Sequence, residues 1–507
     1  MTGIVDQLGA RSGVVGVTVG TPIIPPPSLG TNFTATASGS ITNGNKLILN
    51  ANGTVSKVGG STSASASRIN SSYFNNVEGY DRVVPITALT GFILYTNGSA
   101  DLYIFHYTLN SALDSVSYGS ALKINTGEGT TDFSVAYDAS ISRGVIVYSS
   151  GGPASERYVH AVVVTLSSTT WSKGSFFNIK NDAGYLRVSI SGNGSNKFLV
   201  SYGHSYTTSA AMLSRYITII GGSVNEVSAG TEFTLINTSS VVDSQPESIH
   251  VTGEVWLAMC GTTTGSALTL KTITSSTLSG TVNSSLSISS ANNFVQRKTF
   301  LTKISSTKFI ASFMDDTNSS RPTIRMITIS GTSISAGTAF VAGTQGTVKK
   351  ICTTYSAGAR TAYVYFVVGS YAYMAACLAD TDNNTFSLTS TTTVTPTSSS
   401  NQNGFSAEIP GDSLYRVLTL ERGYPNIYSP SFTNLQATNY VGIADADYAD
   451  SETATVQGKG VVDDAQTSLT TLTQYFIQGD GTLATTEATP SVVAGRAISS
   501  TKLRIDL

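Results

Sequence analysis

A short apolar phrase recurs seven times along the chain and decides its fold. The phrases read FILY at 92–95, VIVY at 145–148, FLVSY at 198–202, VWLAM at 255–259, FIASF at 309–313, AYVYF at 362–366 and YRVLTL at 415–420. Their last apolar residues follow one another at spacings of 53, 54, 57, 54, 53 and 54 residues. Since each phrase is almost continuously apolar, it predicts an interior β-strand that is covered on both faces.

Further strand-like runs accompany each phrase, one before it, one after it and usually a fourth that closes the unit. The fourth run opens with a glycine in several units, at Gly119, Gly174, Gly230 and Gly337. Four short strands joined by Gly, Asn and Ser turns are typical of a propeller blade. One such sheet cannot bury its faces alone, whereas seven packed radially can. We therefore predict an all-β protein in which residues 73–437 form a seven-bladed β-propeller of about 54 residues per blade.

The alternative all-β architectures are an array of β-sandwiches and a β-solenoid. Solenoid repeats are usually shorter than these, and separate sandwiches would need about twice the length per unit. The seventh unit runs out of strands after residues 425–432. We therefore predict that residues around Tyr73 to Val77 supply its missing outer strand and close the ring.

The segments that flank the repeats have a different texture. Residues 1–30 form an arm that ends in PIIPPP at 22–27, which is stiff, extended and predicts an anchor with a spacer. Residues 31–58 alternate and contain the hairpin pairs Asn43-Gly44 and Asn52-Gly53, so they predict the first part of a small β module. A Ser- and Gly-rich linker at 59–72 follows, and residues 438–507 predict the second part of the module.

Composition limits the classes of partner. Only 12% of the residues are charged, the net charge is −2 and the pI is near 6.1, so we expect no nucleic-acid binding. The apolar run at 14–19 is too short for a secretory signal or a membrane span, and we expect no membrane insertion. Cys260, Cys352 and Cys377 lie far apart, which predicts buried thiols rather than a zinc site or a disulfide framework.

Motifs for catalysis or metal binding are weak. His106 and His160 are 54 residues apart, so we expect them at equivalent outer positions of neighbouring blades rather than around one ion. The stretch 380–384 begins like a calcium loop but lacks its later glycine and glutamate, which favours a turn. The segment at 167–174 contains Trp171 without the Asp and Gly of a sialidase-type turn, and no carboxylate pair or arginine triad can be assembled from motifs. We therefore expect a non-enzymatic protein that needs no cofactor.

Tyrosines are the candidate binding residues. The chain has 24 of them, and each combines an apolar ring with a hydroxyl that can contact sugars or proteins. Most of those in strands belong to the core. The loop candidates are Tyr80, Tyr206 and Tyr424.

The two end segments resemble a small β module found at the ends of structural proteins of tailed bacteriophages, especially marine and cyanobacterial phages. The resemblance lies in the runs FTATASGSITNGNKLILNANGTVSKV at 33–58, YVGIA at 440–444, TVQG at 455–458, QYFIQGDGTL at 474–483 and PSVVAGRAISSTKL at 490–503. The two pieces are similar to halves of one module, with the propeller inserted between them in a barrel- or sandwich-like frame. At 448–452, Asp and Glu replace an expected glycine. LGARSGVVG at 8–16 is similar to the opening arms of phage virion proteins.

The resemblance implies a structural component of a phage virion, made in the host cytoplasm and placed on the exterior of the tail or head. In this interpretation the N-terminal arm docks to other virion proteins, and the propeller is displayed like a fibre or spike for attachment to a host-surface glycan or receptor. The alternatives are a head decoration or assembly protein and, with less support, a glycan-cleaving tailspike. We also expect a homo-oligomer, with a trimer as the first choice. The resemblance carries over no catalytic residues.

Overall fold

The computed structural model describes residues 32–50, 52–58, 65–68, 81–111, 113–125, 129–150, 158–181, 185–204, 210–220, 226–238, 246–261, 268–289, 299–357, 360–369, 371–395, 404–410, 416–421, 424–429, 435, 438–478, 481–487 and 491–506. This part of the chain is all-β and consists of many small antiparallel sheets, which confirms the predicted fold class at that level. Within it, the one helical turn is the 3₁₀ helix Asp316–Asn318, and none of its helices has the length and apolarity to cross a membrane.

The chain divides into two compact units. The terminal unit comprises Met1–Thr62 with Ser431–Leu507, and the large unit comprises Ser63–Pro430.

The terminal unit contains two five-stranded sheets. The strands of the first are β1 (Phe33–Thr36), β2 (Lys46–Leu49), β3 (Val55–Lys57), β35 (Tyr440–Ala444) and β36 (Thr453–Gln457), in the spatial order β1-β36-β35-β2-β3. The strands of the second are β37 (Val462–Asp463), β38 (Gln474–Gln478), β39 (Leu483–Ala484), β40 (Ser491–Ala497) and β41 (Leu503–Ile505), in the order β37-β41-β40-β38-β39. Segments from both ends of the sequence therefore share the first sheet.

Apolar contacts and carboxylate hydrogen bonds hold the terminal unit together. Ile48 and Ile443 of the first sheet pack on Ile477 and Leu503 of the second. The predicted hairpins at 43–44 and 52–53 are present, with both glycines at positive φ. The acidic loop at 447–452 is hydrogen-bonded to the N-terminal segment, because Asp450 Oδ1 accepts the Gly39 N–H at 2.7 Å and Asp447 Oδ1 accepts the Asn43 N–H at 2.8 Å.

Seven antiparallel sheets make up the described part of the large unit, and we number them by the order of their first strands. Sheet 1 consists of β5 (Asp81–Pro85), β6 (Thr90–Thr96), β7 (Leu102–Leu109), β8 (Val116–Tyr118) and β9 (Leu122–Lys123). Sheet 2 consists of β10 (Thr130–Asp138), β11 (Arg143–Ser150), β12 (Tyr158–Ser167) and β13 (Thr170–Asn181). Sheet 3 consists of β14 (Tyr185–Gly192), β15 (Lys197–His204), β16 (Ala210–Ile220), β17 (Glu226–Ala229) and β18 (Phe233–Thr238).

The remaining four sheets follow the same strand order. Sheet 4 consists of β19 (Glu247–Thr252), β20 (Val255–Cys260), β21 (Leu268–Ser276) and β22 (Ser279–Ser289). Sheet 5 consists of β23 (Thr299–Lys303), β24 (Lys308–Asp315), β25 (Arg321–Ser330), β26 (Ser333–Ala336) and β27 (Phe340–Val341). Sheet 6 consists of β28 (Val348–Ser356), β29 (Thr361–Val368), β30 (Tyr371–Asp380) and β31 (Thr385–Thr395). Sheet 7 consists of β32 (Gly404–Glu408), β33 (Val417–Glu421), β34 (Tyr424–Ser429) and β4 (Ser65–Arg68).

Each of the seven apolar phrases forms the second strand of its sheet, flanked by a paired strand on either side. Seven buried apolar clusters join each sheet to the next. The last of them joins sheet 7 to sheet 1 through Leu418 and Ile427 against Val83 and Phe105. The prediction of interior strands covered on both faces is confirmed.

The outer strand of sheet 7 comes from a segment that precedes sheet 1. Strand β4 pairs with β34, with Ser65 opposite Ser429 and Arg68 opposite Asn426. The sequence analysis assigned this place to residues 73–77, which lie outside the described residues, and it treated Ser65–Arg68 as linker. The four residues of β4, SASR, carry no apolar pattern that would have revealed a strand.

The sequence predicted that the repeated glycines open the fourth strand. In three sheets the glycine instead divides that strand. In sheets 1, 3 and 5 the outer strand is split in two, with Gly119, Gly230 and Gly337 between its halves. A Cβ added at these positions would lie 2.6 Å from Thr169 O, 1.9 Å from Leu278 O and 2.1 Å from Asn384 O, respectively. Each contacting residue belongs to the outer turn of the following sheet, so glycine is required because a neighbouring backbone comes close. Gly174 differs, since it lies inside the continuous strand β13.

Candidate functional site

The first strands of the seven sheets, which we call the central strands, lie against one another from β10 through β32 and on to β5. Each pairs within its sheet with the second strand alone, so one edge of its backbone needs other partners. Polar side chains of the neighbouring central strand supply them. Asp132 Oδ2 accepts the Val188 N–H at 3.0 Å, Ser134 Oγ accepts the Ile190 N–H at 3.3 Å and Thr354 Oγ1 accepts the Glu408 N–H at 3.1 Å.

Small hydroxyl and thiol side chains also bridge neighbouring central strands. Ser189 Oγ and Ser248 Oγ are 3.0 Å apart, which links sheets 3 and 4. Cys352 Sγ and Ser406 Oγ are 3.3 Å apart, which links sheets 6 and 7. All four residues are buried, so the interior of this region is polar rather than purely apolar.

Five charged residues lie near the start of a central strand, and we call them the central charged cluster: Arg82, Asp132, Arg187, Glu247 and Lys350. They come from sheets 1, 2, 3, 4 and 6, and each stands within the first three residues of its central strand. Asp132 is fully buried, and the exposed fractions of Arg187, Lys350 and Glu247 are 4%, 5% and 7%. Such burial of charge is costly unless it is compensated, and each of the five residues has interaction partners in the structure.

Two observations connect members of the cluster across the large unit. Arg82 Nη2 lies 3.9 Å from Glu247 Oε1, which joins sheet 1 to sheet 4 although sheets 2 and 3 lie between them in the chain order. Burial raises the pKa of the Cys352 thiol, and Lys350 and Arg82 act in the opposite direction.

Three members of the cluster follow a β-bulge. The register of the central strand shifts between Thr130 and Asp132, between Tyr185 and Arg187, and between Val348 and Lys350. The same irregularity thus precedes a buried charged residue in sheets 2, 3 and 6. A bulge redirects the side chain that follows it and is frequent beside binding sites.

Charges of both signs are present among these five residues. The cluster contains three cations and two carboxylates, and the described partners of the carboxylates are a backbone N–H for Asp132 and a guanidinium for Glu247. Within the described residues, no group of three or more His, Cys, Asp or Glu side chains could hold a metal ion.

Among the tyrosines chosen from the sequence, Tyr424 is the one that the structure describes. Tyr80 and Tyr206 lie outside the described residues. Tyr424 is the first residue of strand β34, where it pairs with Glu421, so its prediction as a loop residue is wrong. A two-residue connection between β33 and β34 leaves no longer loop at that position.

The two histidines do not occupy equivalent positions, although they are one repeat apart. His106 pairs with Phe92, the first residue of its phrase, whereas His160 pairs with Tyr148, the last residue of its phrase. Connections of different length between the second and third strands produce the coincidence in spacing. His160 Nδ1 lies 2.7 Å from Asn178 Oδ1, and burial lowers the pKa of His106.

The other residues singled out in the sequence have structural surroundings. Trp171 is buried in β13 and makes an edge contact with Phe92, at a ring distance of 5.1 Å. Residues 381–384 form the turn between β30 and β31, where Asp380 Oδ1 accepts the Asp382 and Asn383 N–H groups. The predicted buried thiols are confirmed for the three cysteines.

Sequence reasoning missed the central charged cluster, although a signal was present. In a chain with 12% charged residues, a charged residue stands among the first three positions of the strand before five of the seven phrases. Each of these residues is isolated in sequence, and the packing of the central strands brings Arg82 to Glu247.

Comparisons with known proteins give little beyond general likeness. The chain matches no protein-family model and no curated protein. Among solved structures it is similar to a proposed 6-phosphogluconolactonase from Bacteroides fragilis, with 11% identity, 73% of this chain and 97% of that chain covered, and a TM-score of 0.45. It is also similar to AofleA from Arthrobotrys oligospora (8% identity, 65% and 90% covered, TM-score 0.38) and to a NanB sialidase variant from Streptococcus pneumoniae (8%, 72% and 70%, TM-score 0.39). Likenesses this distant carry no information on function.

Proposed function

We propose that the protein is a non-enzymatic structural component on the exterior of a tailed-phage virion, where its large unit presents a surface for attachment to the host. The observation that carries the proposal is the sheet shared by the two ends of the sequence, β1-β36-β35-β2-β3. This sheet contains the runs at 33–58, 440–444 and 455–458 that resemble the phage module. A module that gathers both ends of the chain suits attachment to a particle, because the intervening segment is then free for display.

We further infer that the large unit is a closed seven-bladed β-propeller inserted between the two halves of the module. The inference is supported by seven sheets of one strand order and by the apolar cluster between sheets 7 and 1. It is also supported by β4, which adds a strand from before sheet 1 to sheet 7. A single sheet of this kind is stabilised by the sheets that pack against it. In a closed ring every sheet has two such neighbours.

In this proposal residues 1–30 dock the protein to other virion proteins, and copies of the chain associate through the terminal unit, as a trimer in the first instance. The partner on the host is a glycan or a receptor protein.

Competition for adsorption tests the proposal. Host cells are incubated with the purified full-length protein and then with the phage that encodes it, and unadsorbed phage is counted. We expect the protein to reduce adsorption and gold-labelled antibodies to mark the particle surface. Unchanged adsorption together with label only inside opened capsids would refute the proposal. Unchanged adsorption with surface label, and fragile particles when the protein is missing, would instead indicate a head decoration or assembly protein.

A further inference from the structure

The second sheet of the terminal unit presents an apolar and basic surface to solvent. Its inner face, which contains Leu503, packs on the first sheet. Val462, Leu472 and Ile498 keep 39%, 73% and 45% of their surface exposed, and exposed apolar side chains grouped in this way mark interaction sites. Two exposed arginines accompany them, and we call the five residues the outer patch: Val462, Leu472, Arg496, Ile498 and Arg504.

Strand pairing brings the members of the outer patch together. Val462 lies opposite Arg504, and Arg504 lies opposite Arg496. Side chains alternate along a strand, so the residues on either side of the buried Ala497 point outward together, which adds Ile498 to the patch.

Leu472 is held in a conformation that its own side chain disfavours. Its φ is 67°, in the left-handed region that glycine adopts far more readily than a branched residue. Its N–H donates to Ala497 O at 2.8 Å, and the Ala497 N–H donates to Thr473 O at 3.0 Å, so the backbone is fixed beside the patch. A strained leucine that projects into water contributes little within one copy, whereas a rigidly held apolar side chain loses little entropy when a partner covers it.

The charges of the outer patch restrict what can cover it. Arg496 and Arg504 lie directly opposite each other, and like charges in such a pair repel. Arg504 Nη2 lies 3.4 Å from Asp506 Oδ1, whereas Arg496 forms no ion pair with any described residue. Two copies joined through the same patch would bring their arginines together, so the patch needs an acidic partner.

The terminal unit itself carries an acidic surface, the loop at 447–452. Asp447, Asp450 and Glu452 are exposed there, and the hydrogen bonds from the Asn43 and Gly39 N–H groups fix the loop while its charges stay at the surface. The loop belongs to the first sheet, which covers the inner face of the second, so within one copy it lies on the other side of the second sheet from the outer patch.

We propose that the outer patch of one copy binds the acidic loop of the next copy, an inference that rests on the association through the terminal unit proposed above. Leucine and isoleucine side chains lose their contact with water in this interface, and the arginines gain carboxylate partners. Because two different surfaces meet, such contacts can close into a ring, as a trimer requires.

Sedimentation velocity of the full-length protein over a range of concentrations tests the interface. We expect the wild type to associate. Leu472→Gly should weaken association about tenfold or more and leave the circular dichroism spectrum unchanged, because glycine tolerates the positive φ. Leu388→Thr is the matched control, since Leu388 is a leucine of the large unit with 44% of its surface exposed, and its loss should leave association unchanged. A monomeric wild type, or association of Leu472→Gly equal to that of the wild type, would overturn the proposal.

Two charge variants decide whether the patch meets the loop. Arg496→Glu reverses a charge of the patch and leaves the loop intact. Asp447→Asn combined with Asp450→Asn neutralises the loop, keeps the oxygens that accept backbone N–H groups and leaves the patch intact. Each variant alone should be mostly monomeric, and an equimolar mixture should form dimers of one chain of each kind, because one intact loop then meets one intact patch. Association of the loop variant alone at wild-type strength, or a mixture that stays monomeric, would contradict the proposal.

Adsorption assays separate this inference from the attachment function. Protein that blocks phage adsorption but is monomeric at every concentration would refute the contact between copies and leave the attachment function in place. Protein that associates through the patch without any effect on adsorption would support the contact and refute the attachment function. A monomeric wild type that reaches the particle, with a Leu472→Gly variant that does not, would show that the patch binds a different virion protein and would refute the contact between copies.

Discussion

Replacement of Gly230 by alanine should loosen the contact between sheets 3 and 4. The new Cβ would lie 1.9 Å from Leu278 O and 2.5 Å from Leu278 Cβ. A carbon and a carbonyl oxygen normally stay about 3.3 Å or more apart, so the Leu278 backbone would have to retreat by over about 1 Å. Leu278 follows Thr277, which has a φ of 58°, in a two-residue turn that cannot yield easily.

The expected cost follows from two opposing effects. Overpacking of this kind costs about 3 kcal/mol at the upper end of its usual range. Alanine also restricts the unfolded chain, which returns about 0.4–1 kcal/mol. We therefore expect Gly230→Ala to lower the free energy of unfolding by about 2 kcal/mol.

Urea denaturation of the full-length protein measures this loss. Trp256 is fully buried in the apolar cluster that also contains Phe233 and Leu278, so its fluorescence reports on this boundary. Gly129→Ala is the control, because its Cβ would meet only Ala100 Cβ at 3.2 Å. Equal midpoints for the two variants, within the error of the measurement, would refute the account of the repeated glycines.

Three further predictions concern a carboxylate, the thiols and the outer strand of sheet 7. Burial alone would raise the pKa of Glu232, but hydrogen bonds from Tyr202 and Lys180 outweigh burial and lower the pKa. The ionised Glu232 therefore stabilises the fold above about pH 4.5, and this stabilisation is lost as the pH falls through the lowered pKa. Glu232→Gln should therefore lower the free energy of unfolding by about 1–2 kcal/mol at pH 7 and by progressively less below pH 4. Urea denaturation of the wild type and the variant at pH 7 and below pH 4 measures this, and a difference between them that does not change with pH would contradict the prediction. Burial raises the pKa of Cys260 to about 12, and all three cysteines are buried, so a thiol reagent should modify none of them in the native protein and all in urea; rapid native labelling would contradict the packing. Ser67→Pro should weaken the pairing of β4 with β34, lower the free energy of unfolding by about 1–3 kcal/mol and speed proteolysis near β4. Unchanged stability and unchanged proteolysis would show that β4 does not hold sheet 7 in place.

The strands that carry a periodic signal could be predicted from the sequence. The phrase FIASF, for example, predicts a strand by its unbroken apolar run, and it forms the buried core of β24. The phrase works as a signal because a strand with both faces covered must be apolar at every position.

Features that depend on pairing between distant segments could not be predicted. Strand β4 reads SASR, and its identity as a strand comes from the edge of β34 rather than from its own side chains. His106 and His160 were placed by counting residues, yet the register of a strand depends on the connection before it. The charges of Arg82 and Glu247 are separated by 165 positions in the sequence, and only the packed central strands bring them to 3.9 Å.

The most direct test of the account is a reconstruction of the phage particle by electron cryomicroscopy. We expect a ring of seven four-stranded densities on the outside of the particle, with β4 completing the ring beside β34. Density for the protein inside the capsid, or an open arc in which sheets 1 and 7 are apart, would contradict the account.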